Sequence, residues 1–303
     1  MQQTFTASDY GGIVLSAGGL KGFYELGVLQ YYHVQGYLNQ AKVFAGTSIG
    51  SFLAALYSCG FDPLDILAKF LEIQIIAPED ADWANISRDY GIYSTDRLKH
   101  WLNRIFRGKF GYVPTLLELF QKNHKHLILC AYNVTKTRIE YFTWKTEPDM
   151  TIVDAIIASC TIPMMFKAFH YKGCLYVDGA RGEVCPLEYT KKYMTDYTDH
   201  RLLCVTFDER DPKSFTEFMN NVVVNFNIKK EDLDRYSDFA DIVFLYNEWV
   251  PFDATREQKM SMFDAGLKFI TELAEKQQNE ISSVMPVAEN LAKENKNELK
   301  KRA

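Results

Sequence analysis

The sequence predicts an α/β protein whose central sheet is mainly parallel. Two consecutive units of strand, tight turn and helix support this prediction. The first unit runs from an apolar strand at 13–15 into a helix at 23–34, and the second runs from 43–45 into a helix at 51–59. A helix between two strands of one sheet usually carries the chain back across that sheet, so the two strands run parallel.

Shorter patterns predict the remaining elements. Apolar residues at helical spacing predict helices at 62–77, 94–106 and 255–278, and Thr151 is suited to cap a helix that extends to Ser159. Apolar runs predict strands at 126–132, 137–144, 173–177, 201–207 and 242–245. Gly60 is placed to end the helix at 51–59, and Pro63 is placed in the first turn of the next helix.

Length and composition favour one large domain. The chain has 303 residues, of which 47% are hydrophobic, so it can build a core without disulfides or metals. We expect the domain to cover residues 1–280, followed at 281–303 by a charged tail that is helical or frayed. A net charge of -5 argues against a general nucleic-acid binder, which would usually carry a basic surface.

The cysteines and the apolar runs bear on the cellular compartment. Six cysteines are scattered through apolar stretches, and none forms a C-x-x-C pair, which favours free thiols in a reducing compartment and argues against zinc. Residues 1–10 lack the regions of a secretory signal, and no apolar run approaches about 18 residues. We therefore expect a cytoplasmic or other intracellular protein with peripheral membrane contact, no metal and no cofactor.

The turn Gly46-Thr47-Ser48-Ile49-Gly50 has the pattern G-x-S-x-G between a strand and a helix. In a nucleophile elbow the turn is so tight that side chains at the two glycine positions would collide, and the strained serine presents its hydroxyl group to the substrate. The following helix directs its N-terminal N–H groups towards the reacting centre. The alternative is that the glycines only shape a tight joint and that Ser48 caps the helix.

A glycine-rich loop, Ser16-Ala17-Gly18-Gly19-Leu20-Lys21-Gly22, follows the first strand and opens the first helix. Adjacent glycines allow backbone N–H groups to converge on an anion. Three interpretations remain open: a phosphate cradle, an oxyanion hole, and a simple tight turn. The loop matches neither G-x-G-x-x-G nor a Walker A sequence, which weakens the nucleotide interpretation, whereas a serine elbow in the next unit favours the oxyanion hole.

Ser48 needs a proton acceptor, and the candidate is Asp178. No histidine follows a late strand, where the histidine of a hydrolase triad would be expected; the six are His33, His100, His124, His126, His170 and His200. Asp178 stands at the end of an apolar strand and is followed by Gly179. A carboxylate can act as a base if burial raises its pKa and if the serine lies within hydrogen-bond reach. The alternative is an ordinary Asp-Gly turn.

Together these segments resemble the patatin-like phospholipases. That family combines a glycine-rich oxyanion loop that ends near a basic residue, a G-x-S-x-G elbow and a D-G-G or D-G-A motif. This chain carries the three motifs in the same order, as the loop at 18–22, the elbow at 46–50 and the segment Asp178-Gly179-Ala180. A fourth segment, 154–159 followed by Pro163 and Phe166, resembles the family's helix and proline turn before the aspartate. The resemblance spans roughly residues 11–210.

The resemblance implies a three-layer α/β/α fold and a serine esterase with a Ser48–Asp178 catalytic dyad. It implies a phospholipase that degrades phospholipids or other glycerolipids through an acyl-enzyme. The oxyanion hole would be formed by the loop Gly18, Gly19, Leu20, Lys21 and Gly22. Gly18 and Gly19 would donate their backbone N–H groups. The acyl pocket would be apolar, with Phe52, Leu53, Met164, Met165 and Phe166 as candidates. Many members of the family require an activating protein partner.

Two departures leave an alternative open. The loop begins Ser16-Ala17, where many members have another glycine, and Glu183-Val184 stands before Cys185-Pro186, where the family often has asparagines. These differences motivate an alternative function as an inactive lipid-binding or protein-interaction module on the same fold. A nucleotide-binding α/β protein is a third hypothesis, and it rests on the glycine-rich loop alone.

Overall fold

A computed structural model of the chain describes residues 9–195, 200–208, 211, 213, 228–245, 250 and 254–301; for 78 and 280–301 it describes the backbone alone. Its strands are β1 (Tyr10–Leu15), β2 (Val43–Thr47), β3 (Gly91–Tyr93), β4 (His126–Asn133), β5 (Arg138–Phe142), β6 (Met164–Phe166), β7 (Phe169–Tyr171), β8 (Cys174–Asp178), β9 (Arg201–Phe207) and β10 (Ala240–Leu245). Its helices are α1 (Gly22–Val34), α2 (Ile49–Ser58), α3 (Pro63–Glu72), α4 (Asn85–Asp89), α5 (Asp96–Phe110), α6 (Leu116–Asn123), α7 (Ile152–Cys160), α8 (Leu187–Lys191), α9 (Lys230–Asp234) and α10 (Arg256–Lys301).

The central sheet is mainly parallel, as the sequence predicts. Its strands follow the order β10-β9-β1-β2-β4-β8-β7, with β5 beside β4. The five strands from β10 to β4 are parallel to one another. β5, β7 and β8 pair antiparallel at the far side. β3 and β6 form a separate two-stranded sheet.

Apolar side chains alternate between the two faces of the sheet and so build three layers. In β1, Ile13 and Leu15 pack into a large core with helices α1, α2, α3, α5 and α7. Val14, between them, packs on the other face with Leu187 of α8 and Leu233 of α9. A strand alternates its side chains in this way when both faces of its sheet are covered. The predicted α/β/α fold is therefore confirmed.

β2 and β8 meet end to end on one edge of β4. Thr47, the last residue of β2, pairs with Cys130, and Asp178, the last residue of β8, pairs with Ala131. β5 pairs with the same part of β4, so it occupies the opposite edge. β2 is parallel to β4 and β8 is antiparallel to it, and the carboxyl ends of the two strands consequently face each other.

Two glycines bring α1 and α10 into close contact. A Cβ atom on Gly27 would lie 2.1 Å from the Phe263 carbonyl oxygen, and one on Gly266 would lie 2.1 Å from that of Tyr24. Phe263 and Ile270 of α10 are buried in the large core. The first turns of α10 are thus part of the domain.

Most predicted elements are confirmed, with differences at their ends. Thr151 caps α7 by accepting a hydrogen bond from the Asp154 N–H group, and Gly60 follows α2 with a φ of 78°. α3 is shorter than the predicted 62–77, because Ile73 is extended. The helix predicted at 255–278 continues as α10 to Lys301, through the predicted tail. No described helix is both long enough and apolar enough to cross a membrane.

Helix α6 was not predicted from the sequence, although a signal for it exists. Thr115 and Glu118 form a capping box, in which each side chain accepts a hydrogen bond from the other residue's backbone N–H group. A threonine followed three residues later by glutamate, ahead of an apolar run, is the pattern that could have identified this helix.

Candidate active site

The Gly46–Gly50 turn places Ser48 between β2 and α2 in a strained conformation. Ser48 has φ 56° and ψ -124°, a region that residues with a side chain rarely adopt. A Cβ atom on Gly46 would lie 2.2 Å from the carbonyl carbon of Gly50, and one on Gly50 would lie 2.1 Å from the Leu15 carbonyl oxygen. The two glycines are therefore required by backbone contacts, as expected for an elbow. Thr47 ends the strand and Ile49 begins the helix.

The structure brings Ser48 and Asp178 together. Ser48 Oγ donates a hydrogen bond of 2.5 Å to Asp178 Oδ2, and the other carboxylate oxygen accepts one of 2.9 Å from the Ala180 N–H group. Both side chains are buried. A Cβ atom on Gly179 would lie 2.4 Å from the Cys130 carbonyl oxygen, so this glycine allows the chain to turn away directly behind Asp178.

Burial sets the protonation behaviour of Asp178. Removal from water raises the pKa of this carboxyl group to about 7, against the lowering effect of the hydrogen bonds from Ser48 and Ala180. A group with a pKa near the working pH can both take a proton and return it. The carboxylate is thus suited to accept the proton of Ser48.

The glycine-rich loop lies beside the elbow. A Cβ atom on Gly22 would lie 2.3 Å from Ile49 Cγ1, and Gly19 has a φ of 57°. Two N–H groups of the loop donate to carbonyl oxygens within it. The Lys21 N–H group donates to Gly18, and the Gly22 N–H group donates to Gly19 and Leu20. The N–H groups of Ser16 and Ala17 donate to the carbonyl oxygens of Val205 and Val184. Gly18 and Gly19, in the middle of the loop, are consequently better placed than its two ends to donate to a ligand.

Lys21 is buried, with its Nζ 4.4 Å from the centroid of the Phe207 ring. A Cβ atom on Gly18 would lie 2.5 Å from the same ring. Phe207, the last residue of β9, thus underlies the loop and contacts its basic side chain.

Sequence reasoning missed Glu25, a buried residue of α1 beneath this loop. Its Oε1 accepts hydrogen bonds of 3.0 Å from both the N–H and the hydroxyl group of Ser16. Burial raises the pKa of Glu25 to about 8, against the lowering effects of these bonds and of the Lys21 charge. A charged residue inside an apolar helical stripe (23–29) was the available signal, because an acidic side chain is rarely buried without partners.

An apolar pocket of about 490 Å³, including its open mouth, leads to Ser48. It is lined by Gly19, Leu20, Ser48, Ile49, Phe52, Phe70, Ile75, Leu98, Cys160, Ile162 and Phe166. Phe52 and Phe166 were expected at an acyl pocket, but Leu53, Met164 and Met165 do not line it. Leu53 is fully buried in the core, Met164 is 54% exposed, and Met165 packs beside Phe166 in a small cluster.

The histidines make other contacts. Nδ1 of His33 contacts the Tyr57 hydroxyl group. Nδ1 of His100 contacts the Asp96 carbonyl oxygen, and that of His200 contacts the Asp9 carbonyl oxygen. Within the described ranges, no group of three or more His, Cys, Asp or Glu side chains is arranged to hold a metal ion.

Comparisons with known proteins show a family and two viral relatives. The model of the patatin-like phospholipase family matches residues 13–191. The probable lipid hydrolase 463L of Invertebrate iridescent virus 6 is 25% identical over 266 residues, which cover 85% of this chain and 86% of that protein. The uncharacterized protein R571 of Acanthamoeba polyphaga mimivirus is 25% identical over 280 residues, which cover 85% of this chain and 91% of that protein.

A solved structure shares the fold. The type III effector ExoU of Pseudomonas aeruginosa superposes with a TM-score of 0.51 at 16% identity, covering 88% of this chain and 53% of ExoU. This chain thus spans about half the length of ExoU, and the likeness concerns the fold alone.

Proposed function

The chain belongs to the patatin-like phospholipase family, and on that premise we propose that it is a lipid hydrolase that cleaves acyl esters of glycerolipids. Phospholipids and lysophospholipids are the substrate class that we infer. Ser48 is the nucleophile and Asp178 is its base. The observation that carries this proposal is the 2.5 Å hydrogen bond from Ser48 Oγ to Asp178 Oδ2, at a serine that lines an apolar pocket.

In the first step, Ser48 Oγ attacks the ester carbonyl carbon while its proton passes to Asp178. The carbonyl oxygen becomes an oxyanion, which N–H groups at Gly18 and Gly19 stabilise. Helix α2 starts directly after Ser48, and the positive end of its dipole supports the same charge. When the intermediate collapses, the alcohol leaves with the proton from Asp178, and the acyl group remains on Ser48.

In the second step, Asp178 takes a proton from a water molecule that attacks the acyl-enzyme. A second tetrahedral intermediate forms in the same oxyanion site and releases the fatty acid. Asp178 returns the proton to Ser48 Oγ, which restores the starting state. A pKa of about 7 suits a group that must gain and lose a proton in each half of the cycle.

The apolar pocket is the proposed acyl site. Phe52, Phe70 and Leu98 provide a wall without charge, and such a wall favours a hydrocarbon chain over a polar substituent. Because a substrate of this kind resides in a bilayer, we also propose that the protein contacts membranes peripherally.

The experiment is a hydrolysis panel of phospholipids, lysophospholipids and neutral glycerolipids with the wild type and Ser48→Ala. We expect fatty-acid release by the wild type alone, and labelling of the wild type alone by a fluorophosphonate probe. Ser58→Ala is the matched control, since Ser58 is also buried on α2 and its hydroxyl group donates to the Ala55 carbonyl group of the same helix. Equal turnover and equal labelling in Ser48→Ala would refute the role of Ser48, whereas no turnover by the wild type would favour an inactive binding module.

A further inference from the structure

Three consecutive residues at the end of α7 contact the backbone of both Ser48 and Asp178. Ser159 Oγ accepts a 3.0 Å hydrogen bond from the Ser48 N–H group, and Cys160 Sγ donates to the Ser48 carbonyl oxygen at 3.1 Å. The next residue, Thr161, accepts a 2.7 Å hydrogen bond through its carbonyl group from the Asp178 N–H group. The end of one helix thus holds the backbone on both sides of the reacting hydroxyl–carboxylate pair.

The Ser159 hydroxyl group also joins three elements of the fold. It lies 2.5 Å from the Cys130 carbonyl oxygen of β4 and 2.7 Å from Ser51 Oγ of α2. Ser51 Oγ in turn lies 2.6 Å from the Gly46 carbonyl oxygen. Ser51 and Ser159 are both fully buried, so water does not compete for these contacts.

The hydroxyl groups of Ser51 and Ser159 have fewer protons than contacts. They hold two protons between them and make three contacts: with the Gly46 carbonyl oxygen, with the Cys130 carbonyl oxygen, and with each other. Whichever arrangement holds, Ser159 Oγ keeps a lone pair for the Ser48 N–H group. That N–H group is therefore committed to Ser159 and is not a donor to the oxyanion.

The strain at Ser48 gives this bond its importance. A residue with a side chain in this backbone region is strained at a cost in free energy, and it persists only where its surroundings hold it. The peptide N–H group of Ser48 would otherwise be a buried donor without an acceptor, which carries a further cost in free energy. Relaxation of the turn would remove both costs, and it would move Ser48 Oγ away from Asp178.

We propose that Ser159 is a positioning residue, and that the end of α7 (Ser159-Cys160-Thr161) sets the alignment of Ser48 with Asp178. Ser159 is not among the residues that line the pocket, and its neutral hydroxyl group contacts the backbone of Ser48, so its effect is on the geometry of the nucleophile. The inference rests on the proposed function. It goes beyond that function by assigning a task to a helix whose residues take no part in the chemistry.

The test compares Ser159→Ala with Ser58→Ala, because each variant removes one buried serine hydroxyl group. With a p-nitrophenyl ester and with a phospholipid, we expect kcat of Ser159→Ala to fall about 10- to 100-fold with KM changed less than about threefold, as misplaced reacting groups cause. We expect the rate of fluorophosphonate labelling to fall by a similar factor. The midpoint of the pH–rate profile should stay where it is in the wild type, and Ser58→Ala should keep the wild-type kcat.

Ser51→Ala refines the comparison, because it leaves the acceptor of the Ser48 N–H group in place. Its loss of kcat should be smaller than that of Ser159→Ala. If Ser159→Ala does not fold, Ser159→Cys provides a second test, since sulfur is a weaker acceptor and should still lower kcat. Wild-type kcat in a folded Ser159→Ala or Ser159→Cys would overturn the inference. A wild type without Ser48-dependent turnover would instead overturn the proposed function.

Discussion

The Ser48 hydroxyl group donates a hydrogen bond to the Asp178 carboxylate across 130 positions of sequence. Two neighbouring residues of β4 make this possible, because Cys130 pairs with the residue before Ser48 and Ala131 pairs with Asp178 itself. The distance between Ser48 and Asp178 is therefore set by the spacing of two consecutive residues of β4.

Activity should rise with pH through the pKa of Asp178. Only the carboxylate form accepts the proton of Ser48, so kcat/KM should be low near pH 5 and should rise with a midpoint at about 7. The measurement is a pH–rate profile with a neutral ester substrate. Glu25→Gln is the control, because Glu25 is a second buried carboxyl group near the site, with a pKa of about 8. A midpoint that moves with this substitution, or a flat profile, would contradict the assignment to Asp178.

Asp178→Asn should abolish hydrolysis and increase stability at neutral pH. The folded-state pKa of about 7 lies above the ordinary 3.8, so the wild type loses stability as pH rises from about 4 to 7, whereas asparagine remains neutral. The free energy of unfolding should thus favour the variant by up to about 4 kcal/mol above pH 7 and by little near pH 4. Denaturant unfolding at both pH values measures this difference. Asp149→Asn makes the same charge change at an exposed position and should show no such gain.

Gly50→Ala should disrupt the elbow, whereas Gly108→Ala should be tolerated. The new Cβ atom at 50 would lie 2.1 Å from a backbone oxygen of β1, which cannot move without disturbing the sheet. We expect a loss of about 3 kcal/mol or more in the free energy of unfolding, and loss of activity. At Gly108, in α5, no atom lies within 4 Å of the new Cβ, and alanine should stabilise the helix by about 0.5–1 kcal/mol. Equal stability of the two variants would show that the turn is not tight.

Leu98→Phe should shift hydrolysis towards short acyl chains. Leu98 lines the apolar pocket, and the larger ring would fill part of the space that a long chain needs. We expect kcat/KM for a p-nitrophenyl ester of a long fatty acid to fall roughly tenfold, while that for the acetate stays within about twofold. Leu64→Phe, at a residue of α3 that is 51% exposed, is the control. A loss that is the same for both esters would place the acyl chain elsewhere.

The elements that the sequence predicted well are those whose signals are local. The two glycines around Ser48 are explained by contacts within the turn and with the adjacent strand, so their spacing between a predicted strand and a predicted helix was enough to indicate an elbow. Asp178 was found because it ends an apolar strand. The arrangement that brings it to Ser48 was not predicted, since nothing in residues 173–178 shows that β8 runs antiparallel to β4 on the edge that β2 also uses.

Side chains whose role depends on distant contacts were predicted less well. Phe52 lines the pocket but its neighbour Leu53 does not, because adjacent helical residues point about 100° apart. Glu25 lies within a stripe of apolar residues, and its burial becomes intelligible only when Ser16 is seen beside it. Patterns along a chain show which face is apolar, but they do not show what lies against that face.

The small sheet of β3 and β6 stands apart from the strand that aligns the reacting residues, yet it supplies Phe166 to the pocket wall. Changes of length or composition in its neighbourhood would alter which lipids fit without altering the spacing between Cys130 and Ala131. One part of the pocket wall is in this way built apart from the strand residues that set the spacing of Ser48 and Asp178. Relatives could diversify that part of the wall over evolutionary time while the spacing stays constant.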